Sequence, residues 1–290
     1  MAERIVSLLP SATEILFFCG AGDRVVGVTY ECRVPDEAAL RPHVTDTIVP
    51  AGATPGEIDQ VVRGALAEGR ELYVLDRPLL QSLDPDLIVT QDLCRVCALP
   101  AGTAEEAVAQ LGCRAEVLRY DPMTLDQVLA GIEAIASAVG GNAGVGDRVG
   151  ELRRRLDAVR ARVAGRRRPA VLLLEWTDPP FGPGHWIPDQ IEAAGGEPVL
   201  AHPGGRSSAT TWDEVVEADP EVLIVAPCGF DGDVAARYLA DVIARPELAE
   251  VSAVRNGRVH ALDGDSFIVR PGPRLVDGVE ALADLIHPGA

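Results

Sequence analysis

The chain is short of positive charge and of aromatic side chains. Its 26 basic residues face 44 acidic ones, for a formal net charge of -18 and a pI near 4.6. A field of that sign repels phosphates, which excludes a nucleic-acid backbone or an anionic membrane surface as partner. Aromatic residues are 4% of the chain, so a local concentration of rings stands out. Catalytic signatures are missing too: there is no Gly-x-Ser-x-Gly elbow, no Gly-x-Gly-x-x-Gly after a strand and no Gly-x-x-x-x-Gly-Lys phosphate loop. No apolar run follows a basic segment near the start, and strand-like sequence begins at Arg4-Ile5, leaving no room for a signal peptide or tether. The expectation is a cytoplasmic chain without membrane insertion, its six cysteines mostly thiols available for metal or redox work.

What is present is material for two cores: 290 residues, 47% of them hydrophobic. An internal echo divides them. Leu83-Asp84-Pro85-Asp86-Leu87-Ile88-Val89-Thr90 is matched by Ala218-Asp219-Pro220-Glu221-Val222-Leu223-Ile224-Val225, each followed by a cysteine, Cys94 and Cys228. Ile5-Val6-Ser7-Leu8-Leu9 and Val171-Leu172-Leu173-Leu174 open the two halves, each leading through a loop into a helix-like stretch. Continuously apolar strands followed by helices mark parallel strands covered on both faces, and such sheets bind ligands at the carboxyl ends of their strands. The fold class expected is α/β, two lobes with parallel sheets facing each other across a site.

Periodicity predicts, for the first lobe, strands 4–9, 25–28, 72–75, 87–91 and 115–119 and helices 12–19, 55–68 and 103–111. A helix capped by Thr124 then carries Leu125, Val128, Leu129, Ile132, Ile135 and Val139 at three/four spacing. A second carries Val145, Val149, Leu152, Leu156, Val159 and Val163; about 20 residues give a rod of roughly 30 Å, a spacer between lobes. The second lobe is expected to have strands 170–174, 198–200, 222–226 and 258–262 and helices 188–194, 212–218, 233–244 and 273–286. The domains are therefore a lobe over 1–122, a helical segment over 123–167 including one long inter-lobe helix, and a lobe over 168–290.

Three stretches resemble a known family: Arg4-Ile5-Val6-Ser7-Leu8-Leu9-Pro10-Ser11-Ala12-Thr13-Glu14, the strand entry at Leu83-Asp84-Pro85-Asp86, and Arg270-Pro271-Gly272-Pro273-Arg274-Leu275-Val276-Asp277-Gly278. Together they look like the helical-backbone substrate-binding proteins of ABC importers. Gln91-Asp92-Leu93-Cys94 with Glu175-Trp176-Thr177-Asp178-Pro179-Pro180-Phe181 brings the likeness to the cobalamin-binding branch. The resemblance implies two Rossmann-like lobes clamping a large flat ligand, usually a corrinoid, elsewhere a haem or iron-siderophore, with no further cofactor required. It implies corrinoid contacts for Phe181 and Tyr30, and a place for Arg270 near the ligand's amide side chains. It also implies an acidic residue on top of each lobe for docking on a permease. Glu214 and Asp76 are the candidates, while the absent leader argues against docking.

Position alone adds further candidates. Tyr30-Glu31-Cys32 follows the strand 25–28, and Gln91-Asp92-Leu93-Cys94-Arg95-Val96-Cys97 follows the strand 87–91. Opposite them, Trp176, Asp178, Phe181, His185 and Trp186 fall on a Gly/Pro-rich loop after strand 170–174. Rings on a stiff loop stack on a flat ligand, or else Trp176 and Trp186 anchor the lobe core. Arg270 is either a ligand contact or half of a loop salt bridge. Cys32, Cys94 and Cys97 lie at strand ends of one lobe, so they form either a metal or redox site or small apolar filling. Cys19, Cys113 and Cys228 read as buried fillers. The function expected is binding of a corrinoid or related metal chelate; the competing reading is a thiol- or metal-dependent oxidoreductase using Cys32, Cys94 and Cys97.

Overall fold

The computed structural model describes residues 1–93, 99–141 and 144–289. The chain is mixed α/β with parallel sheets in two lobes, dividing into one compact unit of residues 1–122 and 129–149 and another of 123–128 and 150–290. Helices Leu125–Ala138 and Val145–Val163 thus each carry residues of both units.

In the first unit, β1 (Ile5–Ser7), β2 (Val25–Thr29), β3 (His43–Thr47), β4 (Tyr73–Leu75), β5 (Leu87–Thr90) and β6 (Glu116–Arg119) form a six-stranded sheet in the order β4-β3-β2-β1-β5-β6. All neighbours are parallel except β3 and the edge strand β4. β1 and β5 are buried throughout, the burden of central strands covered on both faces. One cover is the cluster of Val6, Leu8, Val44, Tyr73, Leu80, Ile88 and Leu99. β3 was not expected, because in His43-Val44-Thr45-Asp46-Thr47 only Val44 and Thr45 are buried and no apolar run announces it. The helix Arg77–Leu83 was not expected either, although Asp76 accepting from Leu79 N at 2.9 Å and Pro78 in the first turn are its start signals.

The second unit is built on β7 (Ala170–Leu174), followed by β8 (Trp176–Thr177), β9 (Pro180–Gly182), β10 (Gly184–His185), β11 (Glu197–Pro198), β12 (His202–Pro203), β13 (Ser208–Ala209), β14 (Val222–Val225) and β15 (Val259–Ala261). The main sheet is parallel in the order β11-β7-β14-β15, with β14 wholly buried and β7 nearly so. β8, β9 and β13 form a small antiparallel sheet, and β10 pairs with β12; none of these short strands has an apolar run to reveal it.

The sequence echo has a local physical basis in each unit. Asp84 (φ 41°) and Asp219 (φ 39°) end the helices Arg77–Leu83 and Trp212–Ala218 in the left-handed region, where a short polar side chain is tolerated and the following proline stops the helix. The next acidic residue then grips the start of the neighbouring strand: Asp86 accepts from Arg4 N at 3.1 Å, and Glu221 accepts from Ala170 N at 3.0 Å.

Candidate functional site

In the first unit the strand order reverses at β1, between β2 and β5, so the crevice for a ligand lies at the carboxyl ends of β1 and β5. Beneath it runs a buried polar chain: Thr13 Oγ1 donates to Ser7 Oγ at 2.8 Å and lies 2.9 Å from Cys32 Sγ. Cys32 is 1% exposed, its sulfur inside the lobe. Cys94 and Cys97 lie outside the described residues. Among the described residues no group of three or more His, Cys, Asp and Glu side chains is arranged to hold a metal ion.

Tyr30 is half-buried, its ring 6.1 Å from that of Tyr73, whose hydroxyl donates to Glu31 at 3.1 Å. Burial, then the Glu31 charge, pushes the Tyr30 phenol up to about 12, so it enters any contact as a neutral hydroxyl. Asp92 accepts from Ala101 N at 2.9 Å and pairs with Arg119 at 3.2 Å, which commits its carboxylate to the lobe's own loops. Gln91, expected beside a ligand, is 3% exposed.

In the second unit the order reverses at β7 and β14, and the loops after these two strands meet: Cys228 N donates to Glu175 O at 3.1 Å. Trp176 and Phe181 face each other across the antiparallel pair of β8 and β9, joined by Asp178 and Pro179 with a cis peptide between them. Directly opposed residues put their side chains on the same face of an antiparallel pair. Both rings are half-buried, and Trp176 also lies 5.9 Å from Phe230, which meets Tyr238 edge-on at 5.3 Å. Asp178 is exposed and receives Trp176 Nε1 at its carbonyl, 3.1 Å away. Phe230 was missed from sequence; its place just past the carboxyl end of β14 was the available signal.

Trp186 corrects the expectation of a second stacking ring. It is 4% exposed and its Nε1 donates to Ile268 O at 2.8 Å, so it anchors the loop from inside the lobe. Arg270 holds Asp265 through two donors in a half-buried pair, which spends its guanidinium on the loop itself. Cys113 and Cys228 are half-buried and not fully buried fillers; Cys19 is buried, which raises its thiol to about 11. Asp76 and Glu214, the docking candidates, are both exposed and both cap helices, Glu214 in a reciprocal pair with Thr211.

His185 sits at φ 52°, in the left-handed region. Its Nδ1 is 3.4 Å from Ser207 Oγ, which donates to Glu175 Oε1 at 2.6 Å; the same carboxylate oxygen accepts from Gly184 N at 3.0 Å. Burial first, and Arg206 second, lower its pKa, so the ring is neutral near pH 7. A Cβ on Gly184 would collide with the Ser207 backbone nitrogen, so only glycine lets the two loops close. Glu175 and Ser207 were not among the expected site residues: Ser207 comes from a loop 32 residues further on.

The chain belongs to the periplasmic binding protein family, whose model matches residues 5–266. It is 27% identical to the vitamin B12-binding protein of Vibrio cholerae, over 96% of this chain and 87% of that one. It is 26% identical to an ABC transporter substrate-binding lipoprotein of Bacillus subtilis, over 99% of this chain and 80% of that one. The crystal structure of the periplasmic vitamin B12 binding protein of Vibrio cholerae matches with a TM-score of 0.70 at 25% identity, covering 98% of this chain and 96% of that one. The family is one of ligand carriers, so the chain is a binding protein and not the oxidoreductase considered from sequence. The cytoplasmic placement is overturned: family and relatives are extracytoplasmic. Among the described residues no helix is long and apolar enough to cross a membrane.

Proposed function

We propose that this chain binds a corrinoid outside the cytoplasm, at the carboxyl-end loops of its parallel strands, and delivers it to an ABC permease. The observation that carries the reading is the Trp176–Phe181 pair: two rings on one face of a short hairpin, placed where an α/β lobe takes ligands. The likeness to vitamin B12-binding proteins supports a corrinoid as the flat partner. Tyr30 and Asp178 contribute polar contacts at the same strand ends, Tyr30 as a neutral donor to a ligand amide. Exposed Asp76 and Glu214 are the carboxylates offered to the permease, each held in place by the helix it caps.

The test is titration of tryptophan fluorescence with cobinamide, cobalamin and haemin. Trp176 next to a corrin ring is quenched, so saturable quenching by the cobalt compounds at micromolar or lower concentration is the expected result. Quenching by haemin alone moves the ligand to a porphyrin, and no response to any of the three ends the reading.

A further inference from the structure

Two local costs fall on one residue of the second unit. His185 is a non-glycine residue in left-handed backbone, a conformation that costs on the order of 1–3 kcal/mol and persists where the surroundings enforce it. Its Nε2 is buried and has no hydrogen-bond partner, an arrangement that proteins rarely leave unexplained. The surroundings enforce both. His185 N donates to Gly205 O at 2.5 Å, its carbonyl accepts from Gly204 N at 3.2 Å, and Gly184 allows the 205–208 loop to lie directly against the strand.

The hydrogen-bond chain also fixes which nitrogen carries the proton. Ser207 Oγ gives its hydrogen to the Glu175 carboxylate at 2.6 Å, leaving its lone pairs to accept from Nδ1–H of His185 at 3.4 Å. A neutral imidazole with its proton on Nδ1 has a lone pair on Nε2. A carboxylate backing a histidine through its far nitrogen is the arrangement that orients imidazole and raises its basicity toward a metal. Among the described residues no three-ligand metal site exists, so a bare ion has no home here. A metal already held by four equatorial nitrogens needs one further donor.

We propose that His185 Nε2 is an axial ligand to the metal at the centre of the bound chelate. The class of ligand is then a flat tetrapyrrole whose metal has an exchangeable axial position. This rests on the reading above that the ligand is such a chelate, and deepens it. The step is a ligand exchange: Nε2 forms a dative bond to the metal, the bond from metal to axial water breaks, the water leaves, and no oxidation state changes. Glu175 and Ser207 are positioning residues, which hold the ring without touching the metal.

The experiment is visible spectroscopy of the full chain titrated with aquocobalamin and, separately, haemin. The expected result is a shift of at least one probe from its water-ligated spectrum to that of its imidazole adduct. His185→Ala should bind that probe about tenfold or more weakly, with the water-ligated spectrum, and added imidazole should bring the shifted band back. Ser207→Ala should weaken the shifted species while leaving the melting temperature within a few degrees of the parent. Binding of both probes by the parent chain with unshifted spectra overturns the proposal, while the corrinoid or porphyrin reading stands. The parent spectrum decides this even if His185→Ala fails to fold. Binding of neither probe removes the ligand reading and this inference with it.

Discussion

Trp176 and Phe181 are direct cross-strand partners, Trp176 on β8 and Phe181 on β9, so a five-residue separation in sequence becomes side-by-side rings on one face of a hairpin. Trp186, ten residues beyond Trp176, turns the other way into the lobe. The loop therefore separates ligand face from anchor.

Replacing Trp176 or Phe181 by alanine should lower corrinoid affinity by about 1–3 kcal/mol, the scale of a truncated stacking contact. Trp176 packs on Phe230 as well, so its loss should also lower stability slightly, whereas Phe181→Ala should not. Calorimetric titration beside a urea melt separates the two effects. Affinities equal to the parent for both variants would falsify the stacking role.

For Trp186 the balance reverses. Trp186→Ala removes a buried ring and leaves Ile268 O without its donor, so it should cost about 3–5 kcal/mol of unfolding free energy. A urea midpoint close to that of the parent would show that the ring is not the anchor described here.

Gly184→Ala tests the loop closure. The added methyl meets backbone atoms of Arg206 and Ser207, which cannot move aside like a flexible side chain. Ligand affinity should fall sharply, while Gly102→Ala, in open space on an exposed helix, should behave as the parent. Equal affinities for the two variants would show that the closure is irrelevant to binding.

Arg155 joins the helix Val145–Val163 to the final helix Leu275–Ile286 through Asp277 and Glu280, with Nε 2.9 Å from Glu280. These groups are about one-third exposed, so Arg155→Leu should cost only about 1 kcal/mol. Arg155 first, then burial acting in the opposite sense, leaves the Glu280 carboxyl below its usual value. A depressed carboxylate contributes stability above its unfolded pKa of about 4.3 and loses it as pH falls through the folded value. The gap between parent and variant in urea midpoint should therefore be full at pH 7 and close below about pH 4. A gap that widens on acidification contradicts the assignment.

Thiol accessibility offers a fifth check. Cys19 and Cys32 are buried, and Cys19 is held protonated near neutrality, while Cys113 and Cys228 are half-buried. In the folded chain maleimide should label Cys113 and Cys228 well before Cys19 and Cys32, as read by mass spectrometry of the digested protein. Early labelling of Cys32 would place its sulfur at the surface.

The sequence by itself determined the α/β class and the two-lobe plan, because fully buried parallel strands must be continuously apolar and Asp-Pro must stop a helix before the next strand. It also determined where ligand-facing loops begin, since they follow strand ends. Tertiary structure alone decided the rest. β3, the β8-β9-β13 sheet and the β10–β12 pair are held by partners distant in sequence and carry no periodic signal of their own. Which ring of the aromatic loop faces outward depended on Ile268 accepting from Trp186, 82 residues away. The state of His185 depended on Ser207 and Glu175, because a tautomer is fixed by the partner of the other nitrogen and not by the residues beside it in the chain.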